Sequence, residues 1–378
     1  MPQIGAAGID GHLIRPAAYA FTGRTLSGGR PACHRQATWS FMGTADRIAS
    51  IAHSQERAVR YGVSVDGNQP PEMLREIAQA ADEAGAGTLW VASHLFQREP
   101  IVNAAMALTG TADLCAGLMA MSPFVMHPVH IAMAAAALDE WFPHRVILCL
   151  GVGAPKDLAS IGLDASRPLQ AISESIAMVR SLLNGETVDL HGVQYRAEGR
   201  RLSSGKREIP IMLAASGPKM LALAGAEADG VLISAATSPA FIGWALGHVA
   251  AEEAKQGRRI HKAALVYGAV DEDGRAARDR LRRSLAFVLR GKHHARNLAL
   301  AGTRLDQAAL GDAFAAEDWA AVDRLVDDRV LDNHTASGTP EQVRTAFDSY
   351  ATVGLDEIIL AGAANGEDLR RLLNAAAS

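Results

Sequence analysis

Several things are scarce in this 378-residue chain, and each shortage removes a class of protein. Its three cysteines cannot build a disulfide framework. Cys115 and Cys149 fall in apolar runs, Cys33 falls in a Gly/Arg-rich segment, and none has metal-ligand spacing. That usage fits a reducing, cytoplasmic setting and predicts no metal site. No apolar run reaches the roughly 18 residues that cross a bilayer, so a soluble protein without a membrane partner is expected. Basic excess is also missing: the net charge is −4 and the pI about 6.4, with no electrostatic footprint for nucleic acid. The expected partner is a small molecule, and a homodimer is one assembly open to the chain. Aromatics make up only 5% against a hydrophobic fraction of 49%, so Ala, Leu and Val must fill the interior. Such a composition suits helices packed on a sheet, as one large barrel or two smaller domains.

Periodicity is missing from the first 40 residues, which are rich in Gly, Ala, Arg and Ser and hold one acid, Asp10. The Arg-rich, acid-poor character is that of a transit peptide without its amphipathic helix, and a start upstream of a true Met42 explains it equally well. Residues 1–44 are therefore expected to be a poorly ordered extension and 45–378 the folded domain, entered through a short helix over 45–60.

What is present is most explicit at 141–158, where a charged turn precedes a continuous apolar run and then Gly151-Val152-Gly153. An apolar run without alternation must be covered on both faces, as in a parallel sheet, so 145–150 is read as a buried strand. Gly151 and Gly153 then allow a sharp turn and close approach of a ligand to the main chain, although a tight turn alone would use the same residues. Around this strand the chain alternates. Strands are expected at 61–66, 87–92, 113–120, 209–214, 230–234, 261–270 and 355–360, and helices at 70–85, 100–108, 128–140, 169–183, 220–228, 241–253, 340–350 and 366–373. Residues 187–197 look like an inserted hairpin, and 274–328 like a helical insertion, far longer than a βα loop and suited to a lid. Eight strands alternating with helices predict an α/β fold, a (β/α)8 TIM barrel, with a doubly wound sheet as the alternative.

In such a barrel ligands meet the residues that follow each strand. That filter keeps Asp66 and Asn68, Ser93 and His94, Met121, Ser122 and His127, the turn from Gly151 through Ala154 to Asp157, the run Ser216-Gly217-Pro218-Lys219, and Ser234. In the Ser216–Lys219 run Ser216 can cap a helix and Pro218 has no N–H to lose, so free first-turn amides suit a phosphate, although any helix start needs capping. His94 follows a buried strand and can hold or pass a proton near neutral pH, or be a hydrogen-bonded loop histidine. Met119, Met121 and Met126 around Phe124 are expected to make an apolar wall at the mouth. His293 and His294 are read as solvated, and Lys156 with Asp157 as a surface pair.

From Tyr61 to about Leu373 these motifs together resemble the luciferase-like flavin and deazaflavin oxidoreductases, most closely the coenzyme F-420-dependent branch typified by methylenetetrahydromethanopterin reductase. The matching text is Trp90-Val91-Ala92-Ser93-His94, Phe142-Pro143-His144-Arg145-Val146 into Gly151-Val152-Gly153, Pro168 with its helix to Gly185-Glu186, and Ala215-Ser216-Gly217-Pro218-Lys219-Met220 through Ala228-Asp229-Gly230. The resemblance implies a barrel with a deazaflavin (F-420) or, alternatively, FMN across its C-terminal mouth. It implies a bulge, often with a non-prolyl cis peptide, around Leu118, Met119 and Ala120. The cofactor would meet Asp66, Ser93, Leu118, Met119, Ser122, Gly151, Gly153, Ala154, Ala215 and the Ser216–Lys219 run, with His94 catalytic. Three positions depart from the pattern: Ser93 where many members have Asp, Ala154-Pro155-Lys156 where some have an acid, and Met126 where Arg is common. The implied activity is hydride transfer between F-420 and an organic substrate, with an FMN-dependent monooxygenase and a non-catalytic flavin-binding scaffold as the alternatives.

Overall fold

The computed structural model describes residues 59–377. The extension expected over 1–44, and the helix expected from residue 45 up to 58, lie outside the described residues. The strands in chain order are β1 (Arg60–Val65), β2 (Thr88–Ala92), β3 (Cys115–Met121), β4 (Val146–Leu150), β5 (Val188–His191), β6 (Arg196–Arg200), β7 (Ile211–Ala214), β8 (Gly230–Ile233), β9 (His261–Val270), β10 (Ala336–Gly338) and β11 (Glu357–Ala361). Eight of them run parallel in the ring order β1-β2-β3-β4-β7-β8-β9-β11, and β11 pairs back onto β1. The pairing of β8 with β9, from Gly230 opposite His261 to Ile233 opposite Ala264, joins what would be the edges of an open sheet. The molecule is a (β/α)8 barrel, not a doubly wound sheet. Hairpin β5–β6 is the expected insert, and β10 lies beside the overhanging tip of β9.

Proline marks the rhythm of the chain. Helices α1 (Pro71–Glu83), α2 (Pro100–Thr109), α3 (Pro128–Trp141), α4 (Pro155–Ser160), α5 (Pro168–Leu183), α6 (Pro218–Glu227) and α7 (Pro239–Gln256) all start on it, as does the helix Pro340–Ala351. A proline at the first helical position loses no hydrogen bond and arrives with a helical φ. The helices cover the outer face of the sheet. Val63, Leu89, Leu148, Leu213 and Ile358 pack there, while alternate residues such as Trp90, Ile147, Cys149, Met212 and Ile359 fill the barrel. That double coverage is why β4 is buried at every position and reads as an unbroken apolar run.

Charged groups close the N-terminal end of the barrel. Glu357 and His261, both buried, meet inside it, with His261 Nε2 2.9 Å from Glu357 Oε2. Trp90 Nε1 donates to Glu357 Oε1 at 2.9 Å, and the Thr88 hydroxyl donates to the same oxygen. On the same face Arg145 donates to the Leu114 and Thr111 carbonyls at 2.8 and 3.1 Å. Arg180 donates to both oxygens of Asp229 at 3.0 Å, and Asp229 also accepts from the Ile211 amide at 2.8 Å. Arg145 and Asp229, which help to carry the family resemblance, therefore tie strands to helices and loops at the end remote from the mouth.

The insertion after β9 is a body of five α-helices, Gly274–Leu289, Ala295–Leu300, Gln307–Ala315, Trp319–Leu325 and Asp328–His334, so it runs past the expected end at 328. Leu281, Leu285, Leu289, Leu310, Val322 and Leu331 give it a core of its own. Asn297, fully buried, pins it to the segment after β8: its Nδ2 donates to the Ala236 carbonyl at 2.7 Å, and its Oδ1 accepts from the Ser238 amide at 3.0 Å. His334 is enclosed beside it, with Nε2 2.9 Å from Thr303 Oγ1. His294 is also buried, contrary to the solvated reading, because its neighbour His293 takes the outward side of the short turn. Among the described residues no helix is long and apolar enough to cross a membrane.

Candidate active site

The inward positions at the C-terminal ends of β2, β3, β4 and β7 are small: Ala92, Ala120, Gly151 and Ala214. A Cβ on Gly151 would stand 2.7 Å from Ala120 Cβ and 3.4 Å from Ala214 Cβ, so only glycine leaves this floor clear. The register of β3 against β4 shifts between Leu118 and Met121, and the Met119–Ala120 peptide is cis, as the resemblance implies. Met119 joins the interior core, whereas Leu118 and Met121 turn outward into the layer under the helices. The expected methionine wall is therefore dispersed. Only Met126 and Phe124 are half-exposed, on the loop after β3.

Ser122 is buried, and its hydroxyl is committed to the backbone: it donates to the Val152 carbonyl at 2.7 Å and accepts from the Phe124 amide at 3.3 Å. It thereby fixes the loop after β3 to the glycine turn after β4. Gly153 has φ +92°, a conformation that side chains resist, with Ser122 Oγ 3.5 Å from where its Cβ would be. Ala154, exposed, precedes α4 without a side-chain cap, and Lys156 and Asp157 are exposed on that helix.

After β7 the chain passes through Ala215, buried toward the helices, and the exposed residues Ser216, Gly217, Pro218 and Lys219. Gly217 is the N-cap of α6, not Ser216, and no side chain caps the helix. The start of α6 consequently presents uncapped amides at the mouth, with nothing within 4 Å of a Cβ built on Gly217. Amides and the helix dipole together favour an anion there, by about 0.3–1 kcal/mol for an exposed charge.

Asp66 and His94 stand on the other side of the ring, after β1 and β2. The Asp66 carboxylate accepts from the Asn68 amide at 2.9 Å. The two loops are fastened together by Arg98, which donates to the Asn68 and Gly67 carbonyls at 2.7 and 3.3 Å. Ser93 is half-buried, with its amide on the Met119 carbonyl at 2.5 Å; His94 is exposed. On the loop after β3, burial and the neighbouring His130 hold the His127 imidazole below the usual histidine pKa.

One residue at this mouth escaped the sequence filter. Tyr267 continues the inward series His261, Ala263, Leu265 on β9, which at this level has outrun β8 and still pairs with the last residue of β11; it is half-buried against the insertion's core. Burial, and secondly the charge of Asp66, raise its phenol pKa above the ordinary tyrosine value. A filter confined to residues after each strand passes over a residue still within one; the visible signal was a polar tip on the inward face.

The residues sort by ring position. Ser122, Gly151, Gly153 and the Ser216–Lys219 run belong to β3, β4 and β7; Asp66 and His94 belong to β1 and β2, across the ring from the start of α6, and Tyr267 to β9, across from β3. The class defined is a barrel enzyme scaffold with a flat apolar floor, an anion-ready helix start on one side and titratable groups on the other.

Comparison with known proteins agrees. The family model described as luciferase-like monooxygenase matches residues 49–357, and the chain belongs to that family. The 5,10-methylenetetrahydromethanopterin reductase of Methanolobus tindarius is 27% identical over 306 residues, covering 79% of this chain and 93% of that protein. Among solved structures, the coenzyme F-420-dependent tetrahydromethanopterin reductase of Methanopyrus kandleri superposes with a TM-score of 0.78 at 20% identity, over 84% of this chain and 98% of that one. An F-420-dependent secondary alcohol dehydrogenase, solved with an F-420–acetone adduct, gives 0.70 at 18% identity, over 85% and 99%.

Proposed function

We propose that the protein is an oxidoreductase that transfers a hydride between coenzyme F-420 and a small organic substrate. The observation that carries this reading is the clear floor at Ala120, Gly151 and Ala214 beside the uncapped start of α6. A flat ring system with a phosphate-bearing arm fits that shape and charge. When bound, the deazaflavin supplies the hydride.

The chain's own residues bind, orient and move protons. The amides at the start of α6, with Lys219, hold the phosphate; Gly217 lets it approach. Ala215 and Pro218 set the course of that turn. Gly151, Gly153 and Ala154, held by Ser122, shape the loop beside the ring, and Leu118 and Met119 bring the β3 irregularity up under it. Ser93 and Asp66 border the ring on the far side. His94 takes or gives the proton that balances hydride transfer at an oxygen- or nitrogen-bearing carbon, a role typically worth about 10²–10⁴-fold in rate.

The decisive experiment titrates the protein with F-420 and, separately, with FMN, and repeats both with Gly217→Val. Because a Cβ at Gly217 meets nothing, the variant should fold like the parent by circular dichroism. Its F-420 affinity should fall at least about tenfold, the scale of roughly 1.4 kcal/mol. Unchanged affinity removes the phosphate from this loop. Tight FMN binding with oxygen consumption favours a monooxygenase instead, and binding without any turnover a scaffold.

A further inference from the structure

We propose that the Tyr267 hydroxyl is a hydrogen-bond donor to the substrate's reacting carbonyl oxygen, acting at the mouth from the strand that faces β3. The inference rests on the proposed hydride transfer and names a substrate class for it, aldehydes and ketones.

Four observations support it. The side chain lies on the inward face of β9, in series with His261, Ala263 and Leu265, at a height where β8 has ended and opposite Ala361, the last residue of β11. Its ring packs on the insertion's core and over Gly362, where a Cβ would stand 3.5 Å from Tyr267 Cδ1. The hydroxyl of this half-buried ring makes no hydrogen bond among the described residues, whereas those of Tyr61, Tyr195 and Tyr350 donate to backbone carbonyls at 2.9, 2.9 and 3.0 Å. A phenol whose ring is held by packing while its hydroxyl has no protein partner leaves that hydroxyl available to a ligand at the mouth. Lastly, β9 is directly across the ring from β3 and two strands from both β1 and β7, and Asp66 is near enough for its charge to act on the phenol.

The electrostatics select donation over proton transfer. Asp66's charge and burial both disfavour the tyrosinate, so the phenol keeps its proton at neutral pH. In the reaction the hydride of reduced F-420 adds to the carbonyl carbon and the cofactor is oxidised by two electrons. The C=O π pair moves onto oxygen and becomes an O–H bond with a proton relayed by His94 from water. Tyr267 keeps its O–H throughout and donates it to the oxygen while negative charge develops there, the arrangement in which loss of one donor costs about 10²–10³-fold in kcat.

The test compares the full-length parent with Tyr267→Phe and Asp66→Asn. F-420 binding is followed by fluorescence, and oxidation of reduced F-420 by a panel of small aldehydes and ketones by absorbance. The phenol's ionisation is followed in the ligand-free proteins by the tyrosinate band, with Tyr267→Phe as the blank. Expected are an F-420 affinity of Tyr267→Phe within about threefold of the parent, a kcat about 10²–10³-fold lower with KM little changed, and earlier phenol ionisation in Asp66→Asn. A kcat within threefold of the parent overturns the proposal, as does an ionisation indifferent to Asp66. A parent that binds F-420 and reduces none of the panel overturns the carbonyl class, whereas a parent that does not bind F-420 removes the functional reading itself.

Discussion

At the scale of the residue, two histidines and a glutamate show how placement decides role. His94 is exposed at the mouth and has no side-chain hydrogen bond among the described residues. Replacing it with Asn should lower kcat by about 10²-fold or more and alter the pH profile, with F-420 affinity nearly unchanged; turnover within a few-fold of the parent would return it to a loop histidine. His261 faces the same barrel interior from the opposite end, locked to Glu357. Burial alone would raise the Glu357 pKa, but His261, then Thr88 and Trp90, bring it below the usual glutamate value. Glu357→Ala would strand three buried polar partners, and breaking a buried ion pair typically costs about 3–5 kcal/mol. Urea unfolding should show that loss as a lower midpoint at constant slope.

At the scale of the element, the insertion is the segment whose behaviour the packing redefines. A long polar helical stretch suggested a lid; in the structure it has an apolar core of its own and is docked through Asn297 on the segment after β8. Two buried histidines make that docking pH-sensitive. Burial, then the charges of His293 and His334, lower His294 to about 3. Burial lowers His334 to about 4 despite the Ala236 backbone contact, which works upward. Both folded values lie below the unfolded value near 6.5, so the unfolded state binds more protons as pH falls. Stability is therefore complete above about pH 6.5 and declines toward pH 4 and then 3, by on the order of 1.4 kcal/mol per pH unit for each histidine. Melting temperatures between pH 7 and 4 should trace this decline, and His294→Asn with His334→Asn should flatten it.

At the scale of the whole molecule, the barrel closes through β1 paired with both β2 and β11, beginning at Arg60. The ring thus needs no strand from upstream. Removing residues 1–44 should leave the melting temperature within a degree or two and F-420 affinity within about twofold, as truncation at a domain's terminus commonly does. Calorimetry and fluorescence titration of the shortened chain check this; a large loss in either would mean that the segment docks on the barrel.

What the sequence determined by itself is what local chemistry determines. Unbroken apolar runs such as 146–150 required cover on both faces, prolines located the helix starts near residues 71, 100, 128 and 340, and the alternation implied a barrel whose ligands meet the strand ends. The turn at Gly151 and Gly153 was legible because glycine has a backbone reason to end a buried strand, and the start of α6 because Pro218 suits a first helical turn. Tertiary structure alone decided the rest. Ser122 turned its hydroxyl to Val152, Leu118 turned outward while Met119 faced in, and Gly217 rather than Ser216 became the cap. His294 went inside, and Tyr267 reached the mouth because β9 runs on past the end of β8. Each depends on partners far away in the chain: a register shift, the overhang of one strand, or the closing of eight strands that brings β9 and β1 to the same side of a ring. One-dimensional spacing encodes the period of a strand or helix, but which side chains share a volume is set only when the ring closes.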